Sequence, residues 1–111
     1  MNHMTVTKPD PVVGAAARIL FAKHAPASYN QYGACDAAGY RVDEGRDGMA
    51  RVSHTVPNVD LMDNDRPSDD ELAAERQQMV WQYADTLEAA GWAVIRRGPR
   101  SRKPYLLAAQ G

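Results

Sequence analysis

Residues 67–92, PSDDELAAERQQMVWQYADTLEAAGW, decide the fold, because both ends of a long helix are written into them. Ser68 and Glu71 have capping-box spacing, in which the serine oxygen accepts from the Glu71 amide and the glutamate side chain accepts from the Ser68 amide. Asp69, Asp70 and Glu71 put negative charge on the positive end of the helix dipole. Leu72, Arg76, Met79, Val80, Tyr83, Leu87 and Ala90 fall along one stripe. Gly91 supplies the left-handed residue that ends a helix, and Trp92 follows where a Schellman cap folds an apolar residue back on the last turn. The spacing predicts a helix over about 69–90, roughly 33 Å long at 1.5 Å per residue. An element of that length organises a small domain.

Working outward, Trp92 to Arg97 has strand character, Gly98 to Lys103 is a turn, and Pro104 to Ala109 is a returning strand. Pro104 has no ladder donor, so it belongs on an edge or at the start of a strand. On the other side, Asn58 to Pro67 is an acidic connection. Before it, Tyr40 to Val42 and Met49 to Val56 are strands joined by the turn-rich Asp43 to Gly48, with Ala50, Val52, His54 and Val56 sharing one face. Asp10-Pro11 opens a helix that should run to about His24, with Val12, Val13, Ala16, Ala17, Leu20 and Phe21 as its apolar stripe and Ala25-Pro26 as its stop. Ser28 and Gln31 repeat the capping-box spacing, which predicts a short helix to Ala38 ended by Gly39. The segments Ala37-Ala38-Gly39-Tyr40-Arg41-Val42 and Ala89-Ala90-Gly91-Trp92-Ala93-Val94 echo one another, each preceded by Gln-Tyr.

These elements assemble into a small two-layer α+β domain over residues 10–111, with helices on an antiparallel sheet of two hairpins and residues 1–9 as an N-terminal tail. The chain has 111 residues, the size of one domain. A winged-helix-like arrangement is the alternative. Leu72 to Ala108, as helix, Ala-Ala-Gly, strand, basic turn and returning strand, resembles the last third of a winged-helix domain.

Composition narrows the function classes. One cysteine, Cys35, permits no internal disulfide and suits a reducing compartment, so a cytoplasmic setting is expected. No run of about 18 apolar residues exists to span a bilayer. His24, His54, Cys35 and the scattered carboxylates fall in no metal-ligand spacing. The acidic stretch Asp60, Asp63, Asp65 and Asp69 lacks the glycine and the terminal glutamate of a calcium loop. Cys35 with distant His54 is no nucleophile signature, and Cys35 is expected to be a small buried apolar residue. Neither catalytic residue, metal nor cofactor is expected.

What remains is charge distribution. The formal net charge is −1, so there is no global field to attract polyanions. Yet five of the 13 basic residues lie between Arg96 and Lys103, whereas seven of the 14 acidic ones lie between Asp60 and Glu75. Arg96, Arg97, Arg100, Arg102 and Lys103 at a hairpin tip are suited to phosphate. Arg41, Arg46 and Arg51 are further basic contributors. The acidic outer side of the long helix, with Asp69, Asp70, Glu75, Asp85 and Glu88, would be repelled by phosphate. The expected function is weak nucleic-acid binding by a small non-enzymatic accessory protein. The alternatives are a solvated turn guarding an edge strand, or a protein-interaction module or homodimer using a sheet edge or Trp81, Tyr29 and Tyr32.

Overall fold

The computed structural model describes residues 11–58, 62–98 and 101–110. The expected tail, 1–9, and Asp10 as a helix cap lie outside them. Helix α1 spans Pro11–Phe21. Strands β1 (Ser28–Tyr29) and β2 (Cys35–Ala37) form a small hairpin. Then come β3 (Gly39–Glu44), β4 (Ala50–Thr55), helix α2 (Asp69–Ala89), β5 (Ala93–Arg97) and β6 (Tyr105–Ala109). The main sheet has the order β3-β4-β6-β5, antiparallel throughout, and both helices pack on one of its faces. This is an α+β domain of two layers, and a winged-helix description is not needed.

Helix α2 forms as its ends dictate. The Ser68 hydroxyl accepts from the Glu71 amide at 3.1 Å and the Glu71 carboxylate accepts from the Ser68 amide at 3.0 Å. At the other end Gly91 has φ +90°, its amide donates to the Glu88 carbonyl, and the Trp92 amide donates to the Leu87 carbonyl, each at 3.0 Å. Those two bonds are the complete Schellman pattern. The stripe does not bury along its whole length: Val80, Tyr83, Ala84, Thr86 and Leu87 are buried, and nothing before Val80 is. A 21-residue helix is roughly 32 Å long, whereas strands of five or six residues reach only about 20 Å, so the first turns overhang the sheet. Helix α1 buries Ala16 and Leu20 but ends at Phe21, which is 67% exposed, rather than at His24.

Residues 28–38 are not a helix. Asn30 takes the local backbone for itself: its side-chain oxygen accepts from the amides of Tyr32 at 2.9 Å and Ala34 at 3.1 Å. Gly33 turns back at φ +80°, and the Asn30 amide donates to the Ala34 carbonyl. Side-chain competition of this kind favours turns over helices. Ser28, read as a cap, instead donates its hydroxyl to Asp36 across the hairpin. Cys35 is half-buried rather than buried, and its thiol donates to the Ala37 carbonyl at 3.2 Å.

Pairing of β4 with β6 at the sheet centre sets Ala50 opposite Ala108 and Val52 opposite Leu106. Ala50, Val52 and His54 face the helices as their alternation requires, and with Tyr40, Tyr83, Leu87, Trp92 and Leu106 they belong to the buried interior. Because β6 is central, Pro104 stands just before its first residue and costs the ladder nothing. The orders α1-β3-β4 and α2-β5-β6 repeat, and β3 and β5 occupy the two outer edges. The aromatic residues of the sequence echo, Tyr40 and Trp92, are both buried where those edge strands begin. Gly39, however, ends no helix.

Candidate functional site

Among the described residues the second face of the sheet carries no α-helix, and alternation along the strands decides what it shows. From β3 come Arg41 and Asp43, from β4 Arg51, Ser53 and Thr55, from β5 Ile95 and Arg97, from β6 Tyr105 and Leu107. Register sets Arg97 opposite Tyr105 and Arg51 opposite Leu107, so the two arginines flank the central strand. The Arg51 guanidinium carbon lies 4.2 Å from the centroid of the Tyr105 ring, a cation–π stack.

Two depressions lie along this face, sharing Arg51 and Tyr105 as the ridge between them. One has a volume of about 430 Å³, with Arg46, Arg51 and Arg97 around Leu107. Leu107 is only 4% exposed although it is on the helix-free face, because the Gly45 turn lies against it. The other, about 470 Å³, runs from this face towards α2, lined by Arg41, Ser53 and Lys103 and, from the helix side, by His54 and Arg76.

Ion pairing sorts the basic residues of the sheet and its turns. Arg96 points to the helix side, where it pairs with Glu88 at 2.9 Å and Asp85 at 3.2 Å and lies over Trp81 at 5.8 Å from the ring centroid. The Glu88 carboxylate, in hydrogen-bond contact, pushes the Arg96 pKa above its ordinary value. Trp81 is accordingly half-buried under a guanidinium rather than open. Arg102 pairs with Asp70 at 3.4 Å, and its carbonyl accepts from Arg76. Arg41 pairs with Asp43 at 3.0 Å, which raises its pKa, with Tyr29 beside it as a further support. Among the described residues, Arg46, Arg51, Arg97 and Lys103 have no carboxylate within pairing distance, and all four line the two depressions. Thus, of the five hairpin residues, Arg97 and Lys103 join this face, Arg96 and Arg102 turn to α2, and Arg100 lies outside the described residues.

The helix side of β4 carries a buried polar chain. His54 Nδ1 is 2.7 Å from the Tyr83 hydroxyl and Nε2 is 2.8 Å from Glu75 Oε2. Burial, with Glu75 and then Tyr40 adding to it, pushes the Tyr83 phenol up to about 12. Tyr83 is 0% exposed, and the chain runs from it through His54 to the part-exposed Glu75 carboxylate. Its role is to hold α2 on β4 with its polar groups satisfied. His24 sits edge-on to the Tyr83 ring at 4.9 Å and its Nε2 is 2.8 Å from Thr86 Oγ1. Desolvation, then Lys23, lowers the His24 pKa from its ordinary 6.5. A lowered folded-state pKa gives stability that is present above pH 6.5 and is lost as pH falls through the folded value. Melting temperature is therefore expected to drop as pH falls below 6.5, and His24→Gln, which keeps an amide at Thr86, to drop less steeply. Identical slopes for the two proteins would remove His24 from the account.

Among the described residues no cluster of three His, Cys, Asp or Glu side chains could hold a metal ion, and no helix is long and apolar enough to cross a membrane. Tyr105 escaped the sequence reading because its partner Arg51 stands 54 residues away, and only the β4–β6 register brings them together. No protein-family model, curated protein or solved structure matches the chain.

Proposed function

We propose that the chain is a small non-enzymatic accessory protein of the cytoplasm that binds nucleic acid on the helix-free face of its sheet. One observation carries this: Arg46, Arg51, Arg97 and Lys103, without carboxylate partners among the described residues, converge around Tyr105 on one surface. The acidic residues of α2, Asp69, Asp70, Asp85 and Glu88, belong to the helix layer, so they leave that surface clear of most like-charge repulsion. The lone cysteine fits the cytoplasmic assignment.

Phosphate contacts of this kind give weak, sequence-tolerant affinity that depends steeply on salt. If three phosphates are neutralised, raising salt from ~50 to ~200 mM should weaken binding roughly 40-fold. The triple change Arg51→Ser, Arg97→Ser and Lys103→Ser should abolish retention of nucleic acid, while Arg96→Ser with Arg102→Ser should leave it nearly unchanged. Fluorescence anisotropy with labelled DNA and RNA measures both. No binding by the wild-type protein at ~50 mM salt would end the proposal.

A second reading rests on Ile95, 43% exposed on the outer strand β5, whose far edge has no strand partner among the described residues. Addition of a second copy there would make a homodimer through strand pairing. Light scattering separates the two.

A further inference from the structure

The depression floored by Leu107 has a mixed chemistry that bare phosphate does not need, and it is this mixture that names the ligand. Its walls are cationic, Arg46, Arg51 and Arg97; its floor is an aliphatic side chain held at 4% exposure; its ridge is the aromatic ring of Tyr105; and Glu44 stands on its rim. A duplex meets a sheet through its phosphates and the base edges in its grooves, but its base faces stay stacked inside, so an intact duplex has no base face to lay on an aromatic ridge. An unpaired strand offers a base face for stacking, an edge with N–H donors and a phosphate within one nucleotide. Those three match the Tyr105–Arg51 stack, the Glu44 carboxylate and the remaining arginines in turn. The volume of about 430 Å³ is within the range of pockets that take small organic groups.

We infer that this face takes single-stranded nucleic acid in preference to duplex, with one unpaired base stacked against the Arg51–Tyr105 pair and its flanking phosphates on Arg46 and Arg97. The inference rests on the nucleic-acid reading above and adds the strandedness. Tyr29, beside Arg41 at the far edge of the same sheet, supplies a second exposed ring along the path a strand would follow.

The test is anisotropy titration of a labelled single strand of about 12 nucleotides, and of the same strand annealed to its complement, at ~50 mM salt. The single strand should bind at least about ten times tighter. Tyr105→Leu keeps apolar bulk in the central strand and should weaken the single strand by about 5- to 150-fold, the loss of one stacked base, while leaving duplex affinity within about twofold. Arg46→Ser, at an exposed turn, should weaken single-strand binding without moving the melting temperature, which covers the case in which Tyr105→Leu folds poorly. Equal affinity for both forms, or equal losses for both on Tyr105→Leu, would overturn the inference and leave the binding face standing. If neither form bound at all, the inference and the binding face would both fall.

Discussion

Leu87→Ala is expected to destabilise the domain by about 2–5 kcal/mol, a large part of the ~5–15 kcal/mol that a domain of this size has in total. Leu87 is fully buried on the last turn of α2, and its carbonyl accepts the 3.0 Å bond from Trp92 that closes the Schellman cap. The truncation therefore opens a cavity in the buried core that Leu87 shares with Leu20, Val52, Tyr83 and Leu106, while the backbone bond to Trp92 is kept. Neighbours anchored in a helix and two central strands relax little, so the cavity cost adds to the lost transfer energy. Urea denaturation measures it. A change below about 0.5 kcal/mol would mean that α2 turns another side inward.

Gly39→Ala should cost about 3 kcal/mol, the top of the usual range for overpacking, and the reason is steric rather than conformational. A Cβ there would lie 2.3 Å from the Pro26 carbonyl carbon, 2.4 Å from the Ala27 nitrogen and 2.5 Å from the Ala25 oxygen, all backbone atoms. None can give way, because the Ala27 amide donates to the Tyr40 carbonyl at 3.0 Å and the Tyr40 amide donates to the Ala25 carbonyl at 3.1 Å. Gly91 makes the useful contrast. At φ +90° with nothing within 4 Å of its missing Cβ, Gly91→Ala should lose only about 1–2 kcal/mol of backbone energy. Equilibrium unfolding of the two variants orders them, and a larger loss at Gly91 than at Gly39 would contradict the packing of β3 on the 25–27 segment.

That pair also shows where sequence information stops. Gly91 and Gly39 follow the same Ala-Ala pair, and both invite the same reading as helix terminators. Only Gly91 has a helix before it, since Asn30 and Gly33 turn the earlier segment into a hairpin. Helix α2 was legible because its cap and its terminator are both local signals. Strand β4 was legible from alternation, as Ala50, Val52 and His54 show, whereas β3 runs on through Asp43 and Glu44, which have turn chemistry but pair with Arg51 and Ala50. The site was legible only by half. Arg96 and Arg97 are adjacent in a strand, so strand geometry alone sends them to opposite faces, and the charge cluster had to divide. Which half meets Tyr105 and Arg51 depends on β4 lying beside β6, a long-range pairing with no local signature. Glu75 was equally hidden: it is off the apolar stripe, yet it reaches His54 from the overhanging part of α2.

That overhang makes α2 two mechanical parts in one rod. From Val80 onward it is seated among buried side chains, but from Asp69 to Met79 no residue is buried, and that stretch is tethered by polar contacts: Glu75 to His54, Arg76 to the Arg102 carbonyl and Asp70 to Arg102. Opening of the outer turns forfeits few apolar contacts, so their amides exchange with solvent through local excursions, whereas those around Tyr83 and Leu87 wait for the whole domain to unfold. The helix is a cantilever: clamped at its C-terminal half, more compliant at its tip, with Asp70, Glu75 and Arg76 as the polar stays of that tip.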